Sequence, residues 1–259
     1  MPEGHTVHRL ARRLRRDLVG TATRASSPQG RFLEGAAEID RDVPASSDAH
    51  GKHLVLAYES GRLLHVHLGL FGKMGRRRDP SAEPRGAVRL RLATDRVAWD
   101  LRGPTACRLI EPGDLDDLLA RLGPDPLRAD ADPTSALARI ARSRRTIGDL
   151  LLDQSVIAGI GNVYRCEILH LVGIAPQTPG RATAEDERAR MWDLAVALMA
   201  EGARTGRITT FPQPDPDGRR LYVYRQEACG TCGARATRAT LGTRPVHWCP
   251  RCQPVRPTG

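Results

Sequence analysis

The chain has 259 residues, 40% of them hydrophobic and 4% aromatic, with a formal net charge of +10. That apolar share excludes a disordered chain and supports a core of Leu, Val, Ile and Ala, in one large domain or two. No apolar run reaches the roughly 18 residues of a membrane span and no signal-peptide core opens the chain, so no membrane segment is expected; the charge favours a polyanionic partner, either nucleic acid or an anionic surface.

Residues 4–19 predict a basic amphipathic helix, with Val7, Leu10, Leu14 and Leu18 at helical spacing and arginines opposite. From about 52 to 111 the apolar period becomes two. The runs KHLVLAYE, RLLHVHLG, AVRLRLAT, RVAWDLR and ACRLIE are mostly separated by Gly, Pro, Asp or Ser, which predicts an antiparallel sandwich or barrel. EPGDLDDLLARL reads as a short helix, and LGPDPLRADADPT at 122–134 as a linker. Apolar residues at spacings of three and four return from about 135 to 206, with Ser135, Thr146 and Thr183 as candidate N-caps. The organisation expected is an α+β multidomain chain: a β-sandwich at 1–121, a linker at 122–134, a helical unit at 135–213 and a cysteine-bearing module at 214–259.

Of the 40 basic residues only Lys52 and Lys73 are lysines. In so arginine-biased a chain a retained lysine marks a position that needs a compact ammonium able to deprotonate; chance survival is the plain alternative. Six cysteines without a secretory signal point to a reducing, cytoplasm-like compartment, and to metal or free thiols rather than disulfides.

Four of those cysteines, Cys229, Cys232, Cys249 and Cys252, form the pattern C-x2-C-x16-C-x2-C. Two such knuckles supply four tetrahedral thiolates, so one structural Zn2+ ion on a β-hairpin is expected. Four closed ligands leave no position for substrate. Without metal, the tail has too little apolar mass to fold unaided. Arg235, Arg238 and Arg244 lie between the knuckles and suit phosphate contacts or an ordinary solvated surface. Cys107 and Cys166 stand in apolar runs and read as buried small hydrophobes. In LLLDQSVIAGIGNVYRCEILHLVG a glycine-bearing turn separates two apolar helices. Such a turn can present backbone N–H groups and the Asn162 side chain to an anion, or can merely pack two helices closely.

MPEG at the start, GK at 51–52, GIGNVYRCEILH at 159–170 and RPVHWCPRCQ near the end together resemble the formamidopyrimidine-DNA glycosylase and endonuclease VIII family, in that family's order and over nearly the whole chain. The resemblance implies an N-terminal β-sandwich catalytic domain, a helix–two-turn–helix DNA-binding domain and a C-terminal zinc finger. It also implies a monomeric base-excision-repair enzyme, bacterial and nucleoid-associated, with damaged DNA as its partner. Pro2, exposed by removal of Met1, resembles the nucleophile that attacks C1′ of a damaged deoxynucleoside. Glu3 resembles the acid that moves protons beside it. Lys52 resembles a phosphate-contacting lysine near the lesion, Asn162 a phosphate-binding asparagine, and Arg244 the zinc-finger arginine that contacts phosphates flanking the extruded nucleotide. Leu70 and Phe71, between glycines in HLGLFGKM, resemble wedges that fill the vacated base stack; packing back on the β core is their alternative. Lys73, just beyond, reads as a solvated lysine or a phosphate contact.

Departures narrow the branch. His5 and Thr6 replace the LPE that follows PE in formamidopyrimidine enzymes, so Thr6 stands where they carry a second acid. DLRGPTAC lacks the arginine-x-phenylalanine pair of that branch, which leaves Arg102 without its companion. These points imply an endonuclease VIII-like enzyme favouring oxidised pyrimidines. His5 and His8 flank the active end and are expected on the helix surface, with a hydrogen bond near the site as the alternative for His5. Two rivals share part of the pattern. One is a non-catalytic lesion- or junction-binding DNA protein; the other is a zinc-ribbon RNA-associated protein, which leaves the Pro2–Glu3 start unexplained.

Overall fold

A computed structural model describes residues 2–213 and 215–255. Met1, whose removal the family resemblance requires, and residue 214, where the cysteine module was expected to begin, lie outside these. The chain divides into two compact units, Met1–Arg121 and Leu122–Gly259.

In the first unit, helix α1 (Gly4–Leu18) lays Val7, Leu10, Ala11, Leu14 and Leu18 into a shared core. Two four-stranded antiparallel sheets enclose that core. One has the order β1 (Arg24–Ser26), β6 (Val88–Ala93), β7 (Ala98–Arg102), β5 (Lys73–Arg77). The other has the order β2 (Pro44–His50), β3 (His53–Tyr58), β4 (Leu63–His67), β8 (Ala106–Ile110). Leu54, Leu56, Leu64 and Val66 from the second sheet meet Leu90, Leu92, Trp99 and Leu101 from the first, the alternation expected of a sandwich. Short helices α2 (Leu33–Glu38) and α3 (Pro112–Ala120) flank the strands. On the first sheet Asp100 has no exposed surface and meets Arg102 at 2.9 Å, Arg77 at 3.2 Å and Arg91 at 3.5 Å, so Arg102 is tied into a structural ion cluster.

The second unit is built on α4 (Thr134–Arg142), α5 (Ile147–Leu152), α6 (Asn162–Val172) and α7 (Glu185–Thr205). Ile140, Leu151, Ile160, Tyr164, Ile168 and Met199 belong to its buried core. Thr146 caps α5 by accepting from the Asp149 amide. The other two expected caps are corrected. Ser135 lies inside α4, which starts one residue earlier. Thr183 bonds back to the Gly180 carbonyl at 2.6 Å, and the amide of Ala184, at the α7 N-cap, donates to Glu187 instead. Residues 122–134 are held within this unit: the Gly123 amide donates to the Gln154 carbonyl, and Leu127 packs on the helical core. A hairpin of β9 (Thr237–Leu241) and β10 (Arg244–Trp248) carries the cysteine module. Among the described residues no helix is long and apolar enough to cross a membrane.

Leu14 is fully buried. Leu14→Ala is expected to lower unfolding free energy by about 2–5 kcal/mol, the range for a cavity left in a packed core, checked by chemical denaturation.

Candidate active site

Glu3 is the N-cap residue of α1; its carbonyl accepts from the Thr6 amide at 2.9 Å. Its side chain is fully buried and makes no capping hydrogen bond to the helix. Pro2 is half-buried. Helix α1 runs antiparallel to β2: Gly20 N bonds Pro44 O, and one turn earlier Arg15 bonds Ser47 O at 2.8 Å. The start of α1 therefore points toward the far end of β2, where the two-residue turn Gly51–Lys52 joins β2 to β3. Gly51 has φ +55°, the left-handed conformation such a turn requires, and Lys52 stands half-buried beside it. His5, expected on the helix surface, is buried instead. Its Nε2 lies 3.1 Å from the Thr6 hydroxyl, and burial lowers its pKa to about 4, so it is neutral at physiological pH.

The same end of the second sheet carries a group that sequence reading missed. His53 follows Lys52 directly, pairs across the ladder with His67, stacks its ring on His65 and meets the tilted ring of His67 at 4.8 Å between centroids. His53 Nδ1 and His65 Nε2 are 2.9 Å apart, so one nitrogen carries the shared proton and the other accepts it. Burial, then the neighbouring imidazoles and Lys52, lowers the His53 pKa to about 3; burial and Arg108 lower His65 to about 4. The signal was available in GKHLVL and LHVHL, whose histidines alternate with the core positions.

Beyond His67 the chain turns at Leu68–Gly72. Gly69 has φ +66°, and a Cβ there would lie 1.8 Å from the Thr105 hydroxyl, so only glycine fits. Leu70 and Phe71 are 39% and 84% exposed, so neither is spent on the β core. Lys73 is exposed at the start of β5.

In the second unit, Gln154 pins the turn between α5 and α6 by donating to Leu152 O and Ile160 O and accepting from the Gly159 amide. Asn162 opens α6 and is buried; its Nδ2 donates at 2.8 Å to the carbonyl of Pro245 in β10. Arg165, fully buried and not foreseen, donates to Asn162 Oδ1, to Pro245 O at 3.0 Å and to Gly148 O at 3.3 Å. This cluster joins the turn to the hairpin strand that begins with Arg244. Arg244 is half-buried and makes no ion pair among the described residues. Glu167, also unforeseen, accepts from the amides of Tyr222, Val223 and Tyr224 at 2.7–2.9 Å and from Thr210. It fixes the segment that leads into the cysteine module.

The sulfurs of Cys229, Cys232, Cys249 and Cys252 all lie within 4.8 Å of one another. Cys229–Cys252 and Cys232–Cys249 are separated by 3.9 and 3.6 Å. A tetrahedral ion with bonds of about 2.3 Å to sulfur needs edges of about 3.8 Å, close to the two distances above, so the cluster fits a metal ion. Burial and the three neighbouring sulfurs push the Cys252 thiol well up, a conflict that a central dication removes. Cys166, buried as expected, accepts from the His247 amide beside this cluster, and Cys107 is half-buried on β8.

The lowered histidine pKa values predict a pH dependence. The unfolded chain takes up protons on these histidines near pH 6.5, whereas the folded chain resists until about 3–4. Stability is therefore undiminished above pH 6.5 and falls as pH drops toward 3. Thermal melts between pH 7 and 4 are expected to show a shallower fall of Tm for His65→Gln than for the native chain.

Comparison with known proteins gives concordant matches. Residues 1–108 match the formamidopyrimidine-DNA glycosylase N-terminal domain, and residues 122–213 match the formamidopyrimidine-DNA glycosylase H2TH domain. Endonuclease 8 1 of Mycobacterium tuberculosis is 48% identical over 98% of this chain and 100% of its own length. Formamidopyrimidine-DNA glycosylase of Thermus thermophilus is 33% identical, covering 98% of each chain. The crystal structure of the MutM (Fpg) protein of Thermus thermophilus superposes with a TM-score of 0.79 at 31% identity, over 99% of this chain and 100% of that one. A Lactococcus lactis formamidopyrimidine-DNA glycosylase bound to DNA containing an abasic site shares the fold, with a TM-score of 0.82 at 23% identity over 97% of this chain and 99% of that one. With both domain matches and a full-length relative at this identity, the chain belongs to the formamidopyrimidine-DNA glycosylase and endonuclease VIII family.

Proposed function

We propose that this protein is a bifunctional DNA glycosylase and AP lyase of base excision repair, acting on oxidised bases with pyrimidines favoured. The observation that carries the reading is Glu3: a fully buried carboxyl, with no capping bond to its helix, next to the second residue of the chain. Family membership supplies the context in which that arrangement does chemistry.

With Met1 removed, Pro2 offers a secondary amine whose generic pKa, about 8, leaves a neutral fraction at physiological pH. The extruded nucleotide presents C1′ to that nitrogen. The N–C1′ bond forms as the glycosidic bond breaks, and the base departs with the electron pair and a proton. Glu3 protonates the ring oxygen, the sugar opens, and an iminium cation results. A secondary amine leaves no N–H on that cation, so it persists as an electron sink. A base removes the C2′ proton and the 3′ phosphate leaves; loss of a further proton expels the 5′ phosphate. Water then releases the amine. Lys52, in its tight turn, holds a phosphate beside the reacting sugar. Leu70 and Phe71 enter the vacated stack, where their exposed apolar surface is covered. Thr6 and neutral His5 replace a second acid, a difference that favours pyrimidine lesions over purine ones.

In the second unit Arg244 contacts the backbone flanking the lesion. Asn162 offers its second amide hydrogen to a phosphate, while it and Arg165 hold the hairpin strand that carries Arg244. The four cysteines hold one zinc ion, which stabilises the hairpin and takes no part in the reaction.

Borohydride reduction during reaction with abasic-site DNA is expected to trap a covalent complex whose mass places the DNA on Pro2. Pro2→Ala is expected to form none, and Glu3→Gln to slow excision by about 10²–10⁴-fold, the usual contribution of a positioned acid or base. No adduct from a chain verified to begin at Pro2 would leave a lesion-binding protein without catalysis.

Elemental analysis is expected to find one zinc per chain. Chelation is expected to weaken DNA binding strongly while near-ultraviolet signals from Trp99 in the first unit persist.

A further inference from the structure

Helix α1 carries a second feature that the reaction does not use. Arg9, Arg12, Arg13, Arg15 and Arg16 lie on its outer side, and Asp17 is the helix's single acid beyond the cap. The Asp17 side chain is 6% exposed and already committed: Arg76 of β5 meets it at 2.6 Å, Arg16 at 2.9 Å, and the Trp99 indole donates to it at 3.2 Å. Arg13 lies over the Trp99 ring, 5.0 Å from its centroid. Burial there, then repulsion from Arg9, Arg16 and Arg76, holds the Arg13 guanidinium below its ordinary pKa, and Asp17 only partly offsets this. Alongside is a cavity of about 550 Å³ lined by Arg16, Arg76, Arg96, Thr21 and Thr94, with Asp17 and Asp95 as its acids; Asp95 lies 3.7 Å from Arg24. The cations on this face outnumber the acids that meet them.

Such crowding raises the free energy of the folded chain unless an anion from outside relieves it. Arg9, Arg12 or Arg13, and Arg16 form a row along the helix, stepped by about 4.5–6 Å at 1.5 Å per residue. A nucleic acid strand places phosphates about every 3.4 Å along its axis, so the row meets some of a run of phosphates rather than each one, and the planar guanidinium fork takes phosphate oxygens in pairs. The exposed large apolar residues of the first unit, Leu33, Leu70 and Phe71, belong to neither α1 nor β5, so this face lacks what insertion into a lipid surface requires.

We infer that the outer face of α1, with Arg76 and Arg96, is a second, sequence-independent site for the phosphate backbone of duplex DNA, separate from the groups that handle the damaged nucleotide. It deepens the reading of the chain as a DNA repair enzyme and rests on it, since an enzyme seeking rare lesions gains from a hold on undamaged duplex.

The test is the double variant Arg12→Gln/Arg16→Gln. Arg12 bonds the neighbouring His8 carbonyl, at 3.4 Å, and Asp17 keeps Arg76 when Arg16 is replaced. Binding to a long undamaged duplex is measured against salt. The slope of log K on log salt is expected to become shallower by about 2, close to 0.9 for each phosphate the variant no longer neutralises. Cleavage of two lesions on one plasmid in a single encounter is expected to drop. Single-turnover excision from a short lesion duplex is expected to match the native chain, and Arg12→Lys/Arg16→Lys to restore the slope, which separates charge from packing. An unchanged slope overturns the inference, as does a slope that the charge-keeping variant fails to restore. So does an unchanged DNA slope accompanied by lost binding to phosphatidylserine vesicles, which would make the face a lipid site. Failure of the borohydride trap would count against the catalytic reading while the salt slope still reports on this surface.

Discussion

Leu10, Leu14 and Leu18 seat α1 in the sandwich core, and through that seating Pro2 and Glu3 acquire a fixed position. A chain end normally frays, because few interactions repay the entropy of ordering it. Here the second and third residues abut a helix whose apolar stripe is buried along its length. The antiparallel run of α1 along β2 aims that chain end toward the turn holding Lys52. A buried carboxyl, a tight-turn lysine and an exposed apolar loop thus share one scaffold, and each depends on the same packed leucines.

In the second unit the corresponding constraint is polar. Arg165 is a fully buried cation that donates to the Gly148 and Pro245 carbonyls and to the Asn162 amide oxygen. Removing one of these acceptors leaves a buried donor short of a partner, at a cost of about 1–3 kcal/mol or more. That makes the joint between the α5–α6 turn and the hairpin stiff. Glu167 stiffens the neighbouring segment in the same way, with three backbone amides on one carboxylate. The sulfur cluster closes the hairpin from the other side. Residues proposed to touch DNA, Arg244 above all, are thereby carried on elements that lack freedom to drift.

The sandwich strands legible in the sequence were those whose alternation is strong: β3, β4, β6, β7 and β8 fall within the five apolar runs. Strands β1, β2 and β5 were not legible. PASSDAH in β2 buries serine and alanine in place of large apolar residues, and KMGRR in β5 is an edge strand whose charges guard against pairing. Ser135 failed as a cap because the turn at Asp132–Thr134 starts α4 before it; Thr183 failed because its hydroxyl is spent on the Gly180 carbonyl and α7 starts one residue later, after Ala184. His5 was misjudged because its position on the helical wheel does not reveal what packs over the first turn.

The sequence by itself determined the architecture, the four-cysteine cluster and the family, because each rests on spacing: period two, period 3.6, paired knuckles, and short motifs kept in order. What only the tertiary structure decided is which polar groups are buried together. The imidazole cluster of His53, His65 and His67, the Asn162–Arg165–Pro245 joint, the Glu167 clasp and the arginine crowd around Asp17 each unite residues from different elements. Burial and electrostatics act through space, and distance along the chain carries no record of them.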